Sequence, residues 1–103
     1  MYKLVFFVPS EHKEVVKAEV FAANAGHIGR YAECCWEIEG KGQFRPLQGS
    51  NPAIGGQGEL SYVDEFRVEM VCEKRFIREV IAALKAAHPY EEPAYEVMEL
   101  LEF

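Results

Sequence analysis

The sequence predicts an α+β domain in the order βαββαβ, with two helices on one face of an antiparallel sheet. Three observations predict it. Two segments carry apolar residues at helical spacing, several carry the two-residue alternation of strands, and Gly- or Pro-bearing turns separate them. Residues 2–8, Tyr-Lys-Leu-Val-Phe-Phe-Val, form the first expected strand, rich in β-branched and aromatic side chains. Pro9-Ser10 stops it, and Ser10 is expected to cap a helix reaching about Asn24. Val16, Val20 and Ala23 line one stripe of that helix, and Glu11, Glu14, Lys17 and Glu19 suit its wet side. Gly26, which takes a left-handed conformation without steric cost, is expected to close it.

Residues 32–39 alternate clearly. Ala32, Cys34, Trp36 and Ile38 are expected to face the core, with Glu33, Cys35, Glu37 and Glu39 opposite. Gly40-Lys41-Gly42 reads as a turn into a short extended piece, 43–47. Residues 49–58 hold four of the eight glycines and a proline, which makes them a loop longer than a hairpin needs. A long strand follows from Leu60 to about Cys72, with Phe66, Val68, Met70 and Cys72 on one face and Arg67, Glu69 and Val71 on the other. From Lys74 to Ala87 the period is helical, with Phe76, Val80 and Leu84 at i, i+4 and i+8. His88-Pro89 ends the helix, because proline disfavours helical geometry at the residue before it. A last strand runs from Pro93 or Ala94 to about Leu101. Two βαβ halves in this order give a ferredoxin-like sandwich. Its second sheet face would carry residues such as Tyr62 or Val71 among charged ones, a surface suited to subunit contact.

The chain has 103 residues, half of them hydrophobic, which fits one domain over 1–103 and excludes a disordered chain. A domain this small gains buried area by pairing with copies of itself. With 17 acidic against 11 basic residues the net charge is -6, so nucleic acid is not an expected partner. No apolar run approaches the ~20 residues of a membrane helix, so no membrane partner is expected either. Cys34, Cys35 and Cys72 are odd in number with two adjacent, unlike a disulfide framework. Nothing at the start resembles a signal peptide, and a cytoplasmic location with reduced thiols is the expectation.

Three stretches go beyond a generic fold: Gly26-His27-Ile28-Gly29-Arg30-Tyr31 before Cys34; Gly42-Gln43-Phe44-Arg45-Pro46 followed by Gly49-Ser50-Asn51-Pro52-Ala53-Ile54-Gly55 and Gly58; and Ala87-His88-Pro89-Tyr90-Glu91-Glu92-Pro93-Ala94-Tyr95. Together they closely resemble the PII/CutA-like domain inserted in the NGG-interacting-factor-three-like family of dinuclear-metal proteins, here in stand-alone form. The resemblance covers nearly the whole chain, with the motifs in the family's order. The His88–Glu91 core is similar to the matching segment of the CutA proteins. The resemblance implies the ferredoxin-like fold and a homo-oligomer, with a trimer favoured. It carries no metal ligand over to this chain, because the family's metal shell lies in flanking domains outside this segment. Arg30 replaces the family's more usual Asn, and Trp36 stands where Phe is common.

Two readings stand for His88, Glu91 and Glu92. Imidazole and carboxylates suit a divalent metal ion, although a structural zinc needs four ligands. Alternatively Pro89 and Pro93 fix a corner, Tyr90 packs, and Glu91 meets backbone amides or an arginine. The glycine loop, with Gly49, Gly55 and Gly58, either cradles an anion or wraps a neighbour; it has no phosphate-loop lysine. His27 is expected to bond a backbone carbonyl, and a ligand cleft between subunits would draw on His27, Gly29, Arg30, the loop and Tyr90. Cys34 is expected in the core and Cys35 outside it. No triad, paired catalytic carboxylate or cofactor fingerprint can be assigned. The expected role is a regulatory or sensing module that binds a small ligand or metal, with docking on a separate partner chain as the alternative and a small metal-dependent enzyme ranked last.

Overall fold

A computed structural model describes residues 1–103. It contains β1 (Tyr2–Pro9), α1 (Lys13–Ala22), β2 (Trp36–Phe44), β3 (Ser61–Cys72), α2 (Ile77–Ala87) and β4 (Tyr95–Glu99). Single 3-10 turns, Ser10–His12 and Lys74–Phe76, lead into the two helices. The strands form one antiparallel sheet in the order β2-β3-β1-β4, which confirms the expected ferredoxin-like α+β sandwich. β1 is central, which explains its almost unbroken apolar run: Leu4, Val5, Phe6 and Val8 are all fully buried.

Both helices lie on one face. Val16 and Val20 of α1 and Val80 and Leu84 of α2 close over Leu4, Phe6, Val8, Val68, Met70 and Cys72. The helical stripes expected at 16–23 and 76–84 therefore point inward. Burying a Leu- or Phe-sized side chain contributes about 1.5–3 kcal/mol each. These residues are the main source of stability in a small domain.

The start of α1 differs from expectation. Ser10 makes no cap bond; its hydroxyl donates instead to the Asp64 carbonyl at 3.3 Å, tying the first turn to β3. At the other end Asn24 (φ 83) is already left-handed, before Gly26 (φ 81). Gly26 has a different use: its N–H bonds Val71 O at 2.8 Å, and a Cβ there would meet the Phe21 ring at 2.8 Å.

The largest correction concerns β2. It begins at Trp36, so 32–35 are not strand, and Gly40-Lys41-Gly42 lies inside it rather than forming a turn. Residues 43–44 continue the same strand. In the register Trp36↔Glu69 and Ile38↔Arg67, these apolar side chains share the sheet face that has no helices. Trp36 is 59% exposed and Ile38 52%. The helix side receives Glu37, which accepts hydrogen bonds from Lys13 and from Lys17 (2.7 Å) on α1. Lys13 and then Lys17 hold the Glu37 carboxyl below its ordinary pKa. A charged cluster at the lip of the helical layer thus replaces the expected apolar contact. Both thiols are half-buried, but Cys35 rather than Cys34 is the one packed against the core. Burial raises the Cys35 pKa, with Lys17 opposing. Alternation along β3 also places Tyr62, which pairs with Gln43, on the helix side, where it is exposed beyond the helices' reach.

Truncating Leu84 to Ala removes a fully buried contact between α2 and the sheet. Urea unfolding should show a loss of about 2–5 kcal/mol. A loss below ~1 kcal/mol would contradict this packing.

Candidate functional site: a cleft between the glycine loop and the His88–Ala94 corner

α2 ends at Ala87 because His88 is extended (φ -72, ψ 137) ahead of Pro89. The corner is then locked by the His88 ring. Its Nε2–H donates to the Phe7 carbonyl at 2.7 Å, and its Nδ1 accepts the Tyr90 N–H at 3.1 Å. That tautomer is assigned from the network. The Phe7 N–H bonds Ala94 O at 3.2 Å, one step beyond the last β1–β4 pair, so His88 takes up a carbonyl at the point where the ladder stops. Only 6% of His88 is exposed, and burial lowers its pKa, with the bond to Phe7 and the nearby Glu65 opposing. Both ring nitrogens are thus used on backbone.

Tyr90 comes next. Its hydroxyl donates to Glu65 Oε2 at 2.8 Å, and its ring packs 5.7 Å from Phe44, tilted by 59°, and 4.9 Å from His88. Burial, and then the bond to Glu65, push the phenol well above its ordinary pKa. Glu65 reaches this position by crossing Gly42 on the neighbouring strand, where a Cβ would collide with its carboxylate. That close approach gives the glycine inside β2 its function.

Glu91 accepts the Asn51 N–H at 3.0 Å and so ties the corner to the loop. The loop is further held by Gly58 N–H to Pro46 O (2.7 Å), Arg45 to Gly58 O (2.7 Å) and Gln57 to Ser50 O (2.9 Å). Between loop and corner lies a cleft of about 260 Å³. Phe44, Glu65, Tyr90, Glu91 and Glu92 line it, with Ser50, Pro52, Ala53 and Ile54 on the loop side.

The fold therefore brings together two of the three expected site segments. Tyr90, Glu91 and Glu92 line the cleft, while Gly49, Gly55 and Gly58 shape its loop without lining it. His27, Gly29 and Arg30 lie elsewhere. They form an exposed turn closed by reciprocal 2.9 Å bonds between Ile28 and Tyr31, at the Trp36 end of β2. The eight residue steps from Trp36 to Phe44 put that turn roughly 27 Å from the cleft. His27 makes no hydrogen bond to a carbonyl, contrary to expectation, because the turn projects it into solvent. No group of three or more His, Cys, Asp or Glu side chains is placed to hold a metal ion. Phe44, Glu65 and Gly42 escaped the sequence reading of the site. Only the register of β2 on β3 brings them to the corner.

No protein-family model matches the chain. Proteins named GTP cyclohydrolase 1 type 2 homolog do. The one from Mycobacterium tuberculosis is 50% identical over 99 residues, which is 96% of this chain and 26% of that protein. A Bacillus cereus protein related to NIF3 superimposes with a TM-score of 0.82 at 42% identity, again over 96% of this chain and 25% of the other. The chain is homologous to one segment of the NIF3-related proteins. It spans about a quarter of the length of these relatives. CutA from Archaeoglobus fulgidus shares the fold over 100% of the chain and 87% of its own, with a TM-score of 0.70 and 18% identity. No helix of the chain is long and apolar enough to cross a membrane.

Two outcomes test the corner. An unfolded histidine binds protons first, so the stability owed to neutral His88 is complete above pH 6.5 and is lost as pH falls from there toward the folded-state pKa. NMR titration should find His88 below 6.5, and a value at or above it would contradict the burial argument. Gly42→Ala should displace Glu65, cost about 1–3 kcal/mol, and let Tyr90 ionise at lower pH. An unchanged Tyr90 titration would show that the carboxylate does not depend on the glycine.

Proposed function

We propose that this domain is a self-associating module that holds a small ligand in a regulatory or sensing role. One observation carries the reading: Trp36 and Ile38 stand exposed on the sheet face that no helix covers. Val5, Phe7, Val71 and Met98 lie on that face between Lys3, Arg67, Glu69 and Glu96. An exposed Trp in an apolar patch rimmed by charge is the composition of a protein interface. Copies of this chain are its proposed cover, because a domain of this size gains buried area by pairing with itself.

Self-association also gives the exposed turn a place in the function. Within one chain His27, Gly29 and Arg30 lie at the opposite end of β2 from the cleft, and only a second copy can bring them to it. The resemblance to the CutA proteins favours a trimer, which closes as a three-fold ring. A divalent ion at this cleft would meet the carboxylates of Glu65, Glu91 and Glu92 but not His88, whose nitrogens are both bonded; the three are not grouped to hold a metal, so it would need further ligands from a second copy.

Light scattering tests the reading. The expected mass is about 35 kDa, three times the 11.7 kDa chain, for a cyclic trimer. Trp36→Lys or Ile38→Lys should reduce the mass to that of one chain while circular dichroism stays unchanged. A monomer at every accessible concentration would overturn it, and a complex only with a different protein would favour docking on a partner chain.

A further inference from the structure

The cleft has a chemical character that its position alone does not explain. Phe44 and Tyr90 present tilted rings, and Pro52, Ile54 and Ala94 add apolar surface. Three carboxylates, Glu65, Glu91 and Glu92, share the cavity, and none of the lining residues is Lys, Arg or His. No basic group lies within 4 Å of any of the three. Lys13 and Lys17 are engaged by Glu37, Lys41 by Asp64 and Lys74 by Glu99. Glu65 and Glu91 each spend one oxygen on an internal donor, Tyr90 and Asn51, which fixes their direction and leaves the second oxygen without a hydrogen bond in the chain. Glu92 makes no hydrogen bond within the chain.

An anion entering this space would meet three like charges in a concave wall, which concentrates their field. A neutral ligand would strip water from the carboxylates and return no compensating charge. A cation offsets that cost, and the two aromatic faces add attraction of about 0.5–2 kcal/mol when the charge is desolvated. A bare metal ion would leave the rings and the proline and isoleucine surface unused. At about 260 Å³ the cavity lies below the usual range for drug-sized ligands, so the body must be compact.

The geometry points to a small organic cation, an amine or guanidine with a short apolar body, as the ligand of this cleft. The inference rests on the ligand-binding reading above and gives that ligand its charge.

Butylguanidine and its neutral counterpart butylurea test it, because they match in shape and differ in charge. NMR titration of the full chain should show butylguanidine moving the resonances of Phe44, Tyr90 and Ala94 to saturation. Butylurea should bind about tenfold more weakly, the equivalent of 1.4 kcal/mol. Raising the salt should weaken butylguanidine alone. Glu92 is exposed, so Glu92→Gln should fold normally and weaken the cation several-fold without changing the response to butylurea. Equal binding of both probes, tighter binding of inorganic phosphate, or an unaffected Glu92→Gln would each overturn the cationic assignment while leaving a ligand-binding module. A cleft indifferent to all three probes, in a chain that still self-associates, would overturn the assignment together with the ligand half of the reading, leaving self-association intact.

Discussion

Both helices of this domain lie on the same side of the sheet, and the side they leave bare governs the rest of the structure. The covered side is closed by Val16, Val20, Val80 and Leu84 against β1 and β3. The bare side carries Trp36 and Ile38 in the open, with Val5 buried between its neighbouring strands even without a helix above it. A sheet with two unlike faces has to cover the second or keep it polar. This chain does neither by itself. Charged residues fill part of the face, Arg67 and Lys3 bonding to Glu69, and the apolar remainder is what the proposed self-association uses.

The candidate site stands at the end of the same sheet and depends on a chain of single contacts. His88 occupies the carbonyl of Phe7 where the β1–β4 ladder stops, and its second nitrogen positions Tyr90. Tyr90 in turn orients Glu65, which reaches across Gly42. Each contact is local, yet the partners come from β1, β2, β3 and the segment after α2. The cleft is therefore a product of the strand register and shares its stability with the fold. The loop joins through one bond, Asn51 to Glu91, so the loop side of the cleft is its less constrained wall.

The sequence was legible where one physical cause dominated. The stripes 16–23 and 76–84 and the buried run 4–8 identify the core directly, and the pre-proline His88 marks the end of α2. It misled at β2, where alternation at 34, 36 and 38 separates two faces without saying which one the helices cover. The deciding facts were tertiary: Glu37 meets two lysines of α1, and Gly40 and Gly42 pass through the strand instead of turning it. The metal-ligand reading of His88 treated its ring as free, but both nitrogens serve backbone groups up to 81 positions away in sequence. Phe44 and Glu65 had no local signal as site residues, since neither lies near the His88–Pro93 motif along the chain.

Trp36 is the only tryptophan of the chain, and it stands on the bare face. Its fluorescence followed during serial dilution, alongside the sedimentation mass, tests the account most directly. The account predicts blue-shifted, quencher-protected emission in the assembled state, moving to a water-exposed spectrum as the mass falls to one chain. A water-exposed, fully quenchable Trp36 in a particle of multiple mass would contradict it, because the assembly would then leave this face uncovered.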